Sequence, residues 1–411
     1  MNSITRTLGG LLDWIDARYP LTKTWNYHLA KYYAPKNFNN WYYTGSLALL
    51  ILVIMIVSGI WLTMVYIPTA EEAFASVEFI MRDVEWGWLI RYIHAVGGSL
   101  FFIIVYLHIY RGMLYGSYKK PRELVWIVGM LIYFTLMGIG VTGYMLPWGQ
   151  MSYWALQVVI SMSGAIPVYG EDLALWLRGD YVVSGVTLTR FYALHVCAFP
   201  LILIGLVVVH LIALHEVGSN NPDGIEIKAN KDANGVPLDG IPFHPYYSVK
   251  DLVGFVVFLI IYSAIIFFAP DMYGWFLEGI NFVPANPLST PEHIVPNWNF
   301  TAYYAILRAI PDKLLGVCAM VLASAIFIFL PWLDRSPVKS IRYRGWKYRT
   351  ALIAFTISFV ALSWLGTQLA TPLYVWMARF FTVVYFGFFF LMPFYTSTDN
   401  DKPVPDRIPS S

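Results

Sequence analysis

The chain has 411 residues, of which 58% are hydrophobic and only 13% charged, where soluble domains carry about 25% charged residues. That balance excludes an ordinary water-soluble globule. A net charge of +2 without a basic, aromatic-interleaved patch excludes a nucleic-acid surface. Two cysteines, Cys197 and Cys318, lie in apolar runs with no Cys-x-x-Cys-His motif, which excludes a disulfide framework and covalent haem attachment.

The first stretch, MNSITRTLGGLLDWIDARYP, has no basic region followed by an apolar core and predicts an amphipathic surface helix rather than a cleaved signal. Eight apolar stretches follow, near 43–66, 89–114, 124–146, 190–213, 251–270, 314–333, 350–370 and 374–395. Each is long enough to cross about 30 Å of hydrocarbon. They predict an all-α integral membrane protein. With the N-terminus in the cytoplasm, 20 of the 27 basic residues fall on that side, which the positive-inside rule favours. The opposite side then holds two long loops, 147–189 and 271–313, rich in Pro, Gly and aromatics, and long loops of that kind are usually functional. The expected organisation is a surface segment at 1–40, a four-helix bundle at 41–215, a cytoplasmic loop at 216–250, a C-terminal four-helix region at 251–400 and a tail at 401–411.

Four histidines stand out. His94 and His108 are 14 positions apart on the second stretch; His195 and His210 are 15 apart on the fourth. Each pair spans roughly 21–23 Å of helix with both members on nearly one face. Histidine is costly in hydrocarbon unless something binds it. Both stretches start on the outer side, so His94 should face His195 and His108 should face His210. Two stacked bis-histidine sites could hold two haems and pass an electron across a bilayer. Zinc is the rival, but it needs three or four clustered ligands. Gly45 and Gly59 on the first stretch, and Gly129 and Gly143 on the third, repeat the 14-residue step and would clear room for a flat macrocycle. Arg91 and Arg111 lie three residues outside the first histidine pair, where a guanidinium can pair with a haem propionate.

The chain resembles the cytochrome b family, the central subunit of the cytochrome bc complexes, along nearly its whole length. The matching runs are Gly143-Tyr-Met-Leu-Pro-Trp-Gly-Gln-Met-Ser152, Thr187-Leu-Thr-Arg-Phe191, His215-Glu-Val-Gly-Ser-Asn-Asn-Pro222, Phe243-His-Pro-Tyr-Tyr247 with Lys250-Asp251, Phe268-Ala-Pro-Asp271, Pro284-Ala-Asn-Pro287 and Ala305-Ile-Leu-Arg308. The resemblance implies two non-covalent haem b groups in the N-terminal bundle, a low-potential outer one and a high-potential inner one. It implies quinol oxidation on the outer side and quinone reduction on the cytoplasmic side. It also implies a Rieske iron–sulfur protein and a cytochrome c1-type subunit as partners, a homodimeric complex and residence in a bacterial inner membrane.

By the same resemblance, Tyr144, Pro147, Gly149, Pro296, Asn297, Phe300 and Tyr304 belong to the quinol-oxidation pocket. His215, Ser219, Asn220, Lys250 and Asp251, closed by Tyr42 and Ser46, belong to the quinone-reduction pocket. Two departures stand out. The family's Pro-Glu-Trp-Tyr motif reads Pro296-Asn297-Trp298-Asn299, and an amide cannot accept a proton as a carboxylate does. Glu292, four residues upstream, is the expected substitute. The 15-residue step from His195 to His210 replaces the 14 of mitochondrial relatives and would rotate one ligand by about 100° unless a local helix adjustment absorbs it. A transporter would instead line a midplane path with charged side chains, which these stretches nearly lack, and other haem-b membrane anchors would not carry the two outer loops in this order.

Overall fold

A computed structural model describes residues 3–409. Among them, eight helices are long and apolar enough to cross a membrane: Asn40–Thr63, Gly87–Tyr115, Glu123–Met145, Gly185–Val217, Phe243–Phe268, Lys313–Leu333, Trp346–Gly366 and Pro372–Phe390. They match the eight expected stretches, with ends displaced by up to eight residues. The amphipathic N-terminal helix is also present, at Ser3–Asp16, with Leu11, Leu12 and Trp14 exposed.

The first span packs along the second and the third along the fourth, while the seventh packs against the eighth and the short helix Thr301–Ala309. One apolar core runs through both halves, from Ile51, Val96 and Met130 to Ile306, Leu362 and Phe389. The fourth and fifth spans turn most of their surface outward, Leu201, Ile212, Val256 and Ile260 among it. Such all-round apolar surface suits hydrocarbon rather than water.

Connecting segments cluster by end. At one end the strand Tyr33–Pro35 pairs antiparallel with Gly240–Pro242. The second span stops at Gly116, whose φ of +62° is open to glycine at low cost and whose bare α-carbon lies against the Lys339 backbone. Charges expected to orient the chain here are tied to carboxylates. Arg122 and Lys339 both hold Glu226; Arg344 and Lys119 hold Asp334, which also accepts from Tyr118 at 2.5 Å. At the other end the two long loops are stitched together. Gln150 N donates to Val283 O at 2.9 Å, Ala285 N to Trp148 O at 3.1 Å and Ser152 Oγ to Asn281 Oδ1 at 2.9 Å.

Candidate functional site

The four histidines meet as orientation and spacing required. The rings of His94 and His195 lie 6.1 Å apart centre to centre, and those of His108 and His210 lie 6.4 Å apart. Two imidazoles on opposite faces of one iron separate their centres by about 6 Å, from two metal–nitrogen bonds of ~2 Å and two ring half-widths of ~1 Å. Each pair therefore stands at the separation a single axially ligated iron demands, which is too wide for direct hydrogen bonding. Among the described residues there is no cluster of three or more His, Cys, Asp or Glu that could hold a lone metal ion, which disfavours zinc.

The glycines do something more specific than general clearance. A β-carbon on Gly59 would lie 3.0 Å from His94 Cε1, one on Gly129 3.2 Å from His210 Cε1 and one on Gly45 3.3 Å from His108 Cε1; on Gly143 it would collide with the His195 ring. The first span thus seats both histidines of the second, and the third seats both of the fourth. The seat extends to the inner ring nitrogens. His195 Nδ1 donates to Ile139 O at 3.0 Å and His94 Nδ1 meets Ser58 Oγ at 3.0 Å, while Thr44 Oγ1 lies 3.3 Å from His108 Nδ1. Holding Nδ1 in this way leaves Nε2 as the nitrogen available to ligate iron.

The 15-residue step is resolved locally. Residues Leu194–Ala198, which include His195, form one π-helical turn, with Phe199 N donating to Leu194 O. A π-turn takes up one extra residue. Pro200 follows, and a proline removes one helical donor and crowds the preceding turn. The fourth span's 15 residues then match the 14-residue glycine step of the third.

A cavity of about 710 Å³ opens beside the outer pair, within the range of cofactor and ligand sites. Gly59, His94, Gly143 and His195 line it, together with Arg91, Tyr144, Pro147, Asn297 and Asn299. Arg91 forms no ion pair among the described residues, and at the inner pair Arg111 lies against Tyr42 with its Nε buried and unpartnered. Half-buried guanidinium groups without an anion fit haem propionates. The residues present therefore fit two bis-histidine haem b groups.

The chain belongs to the cytochrome b family of the bc complexes. A model described as Cytochrome b/b6/petB matches residues 29–218, and one described as Cytochrome b(C-terminal)/b6/petD matches residues 284–386. Cytochrome b of Allochromatium vinosum is 57% identical over 407 residues, covering 97% of this chain and 98% of that protein. A Cytochrome b/c1 of Bradyrhizobium diazoefficiens is 42% identical, covering 97% of this chain and 56% of that protein. A solved structure, a hyperthermophilic respiratory Complex III, superimposes with a TM-score of 0.87 at 39% identity, covering 94% of this chain and 99% of that one. The chain is thus a multi-span cytochrome b of a respiratory bc1-type complex, in a family that binds haem b and carries out oxidation–reduction.

Within this cytochrome b fold the residues expected at an outer quinol site divide. Tyr144, Pro147, Asn297 and Asn299 are in the cavity wall, with Asn297 Oδ1 buried and unpartnered. Gly149 anchors the stitched loops in a bridge to Pro284. Phe300 packs on Phe102, 5.7 Å between centres, and Tyr304 OH donates to Ile294 O; they and Pro296 are not part of the wall. Glu292 is exposed and not part of the wall. A carboxylate that sequence reasoning missed is there instead. Glu278 accepts a hydrogen bond from Tyr144 OH and lines the same cavity. Burial pushes its carboxyl up to about 7, against the opposing pull of the Tyr144 hydroxyl. The available signal was a lone acid in an apolar loop stretch, Trp275-Phe-Leu-Glu-Gly-Ile280.

At the inner end, the Tyr32 and His215 rings are 4.5 Å apart and Tyr32 OH lies 3.5 Å from Ser219 Oγ. Phe38 stacks on Tyr42 at 4.2 Å and packs on Tyr247 at 4.8 Å, and Lys250 Nζ donates to Phe38 O. Ser46 Oγ donates to Tyr43 O at 3.1 Å on its own span. Asn220 is buried and bonded to Tyr115 O at 2.6 Å. Tyr32 and Phe38, absent from the sequence-based set, are brought in by the N-terminal strap that the short strand holds in place.

Proposed function

We propose that this chain is the di-haem catalytic subunit of a quinol–cytochrome c oxidoreductase working by a Q-cycle. Quinol is oxidised in the outer cavity. One electron leaves to a Rieske iron–sulfur protein and a cytochrome c1-type subunit; the other crosses the membrane to a quinone reduced at the inner site. When bound, the two haems supply a one-electron path between those sites. His94 and His195 orient the outer group, His108 and His210 the inner one, and Arg91 and Arg111 neutralise charge at their edges. On the inner side, the His215 imidazole and the Asp251 carboxyl, in the first turn of its helix, are the groups that can deliver protons to reduced quinone, with Lys250, Ser219, Asn220, Tyr42 and Ser46 bounding the pocket. Protons released outside and taken up inside contribute to proton-motive force.

The observation that carries this reading is the pair of imidazole separations, each matched to one iron. The relative named Cytochrome b/c1 joins the two partners' names in one protein, which supports a c1-type partner here. The family's habit supports a homodimeric complex in a bacterial inner membrane, N-terminus in the cytoplasm. A redox titration of isolated membranes tests the core of it. Two b-type haem waves of unequal potential are expected, both lost when His94 and His108 are replaced together by leucine. A colourless preparation, or loss of only one porphyrin in that double variant, would discard the reading.

A further inference from the structure

Resting on the reading of the outer cavity as the quinol site, we propose that Glu278 is the proton acceptor for quinol oxidation in this chain, with Tyr144 positioning it. It would stand in for the carboxylate that Asn297 has replaced.

Several observations converge on Glu278. The amides Asn297 and Asn299 line the cavity, and neither can take a proton under ordinary conditions. The cavity wall holds two carboxylates, Glu78 and Glu278. Glu78 is committed to an ion pair with Arg82 at 2.6 Å. Glu278 has no cationic partner among the described residues; its carboxyl accepts a hydrogen bond from Tyr144. Tyr144 follows Gly143, whose α-carbon faces His195, so the acceptor and the outer histidine pair border one cavity. Glu278 is only half-buried and is followed by exposed Gly279 and Ile280. A side-chain rotation would bring its carboxyl from the cavity to outer water.

One O–H bond of quinol breaks and its proton moves to a Glu278 carboxylate oxygen. The bonding pair stays on the ring oxygen as C=O forms. Two electrons leave the ring singly: one would pass to a haem held by His94 and His195, the other to the external iron–sulfur acceptor. The second hydroxyl proton departs on the acceptor's side, outside this chain. Glu278 then gives its proton to water. A general base works best when its affinity for protons is close to the ambient pH, and burial holds Glu278 near 7. Besides Tyr144 and the two histidines, the titratable and charged groups around this cavity are Glu78, Arg82, Arg91, Tyr66, Tyr92 and Tyr192; of all these, Tyr144 is the one that hydrogen-bonds the carboxyl.

The deprotonated carboxylate is the accepting form, so quinol oxidation should rise with pH through about 7 and then level. The test is Glu278→Gln in the assembled complex in membranes, followed across about pH 5 to 9. The expected result is a fall in maximal rate of roughly 100-fold, KM and haem spectrum retained, the rising limb near 7 absent, and partial recovery in Glu278→Asp. Tyr144→Phe serves if the Gln variant fails to assemble. The tyrosine hydrogen bond lowers the carboxyl's proton affinity, so its loss should move the limb to higher pH. A normal rate and limb in Glu278→Gln, an unmoved limb in Tyr144→Phe, or a limb that vanishes in Glu292→Gln instead would overturn the proposal while leaving the quinol-site reading intact. No quinol oxidation in the wild-type complex would remove that reading and this inference with it.

Discussion

Gly143 sets its bare α-carbon against the imidazole of His195 so closely that a β-carbon would overlap the ring. Gly45 makes the same contact with His108 more loosely, 3.3 Å from a built β-carbon to Cε1. A ligand ring displaced by tenths of an ångström changes the iron's axial field and potential. Gly143→Val should abolish the outer haem band while leaving the inner one. Gly45→Ala, which asks His108 for only a small shift, should keep both haems and displace one midpoint potential. Redox titration of each variant, with the bands resolved, is the check; an intact outer haem in Gly143→Val would mean that the glycine is no seat.

The π-turn at Leu194–Ala198 makes a sharper prediction about length. Deleting Cys197 should convert the π-turn to regular helix, shorten the histidine step to 14 and retain both haems. Deleting Val207 from the regular helix below it leaves the π-turn in place and rotates His210 by about 100°. That variant should lose one haem. Haem content per protein in the two deletions decides the matter, and equal retention in both would deny the π-turn its role.

The histidine geometry was legible because helix period, membrane thickness and loop charge bias are local or additive properties. Spacing gave the face, and sidedness gave the partners. The strained 15-residue step was readable as a problem whose solution, one π-turn, needed backbone coordinates. Glu278 was not legible, because it acts through a contact with Tyr144 134 residues away, and nearness in sequence favoured Glu292 instead. The strand Tyr33–Pro35 was invisible for a similar reason: three residues ending in proline give no periodicity, and proline marks an edge. Arg344 read as one more orienting charge, yet its side chain is fully buried against Asp334. Charge counting cannot tell a solvated cation from a paired one.

That buried cluster carries a stability prediction. Asp334 accepts from Arg344, Tyr118 and Lys119, and the neighbouring cations hold its carboxyl below the usual range despite burial. Removing one member of a buried pair leaves an uncompensated charge, at a cost of about 3–5 kcal/mol. Asp334→Ala should sharply lower the temperature at which haem absorbance is lost. Replacement of the exposed Lys402 should barely move it. A thermal profile of Asp334→Ala equal to wild type would mean that the cluster is not a clamp.

The C-terminal tail is fastened differently, by a carboxylate whose pH window can be stated. Asp239 lies beside the strand Gly240–Pro242 and holds Arg407 at 2.6 Å and Lys36 at 2.9 Å, with Ile408 N donating to it at 3.3 Å. Chiefly through Arg407, and also through Lys36, its carboxyl is pulled down to about 2. A depressed carboxylate contributes its full stabilisation above the unfolded value of about 3.9 and loses it as pH falls toward the folded value. The clamp should therefore be insensitive to pH between about 5 and 8 and fail between about 4 and 2. Arg407 is half-exposed, so the clamp should also weaken in high salt. At neutral pH, Asp239→Asn should speed tryptic cleavage after Arg407 several-fold, in line with about 1 kcal/mol for a partly exposed pair. Cleavage at the wild-type rate would mean that the tail is held by something other than this carboxylate.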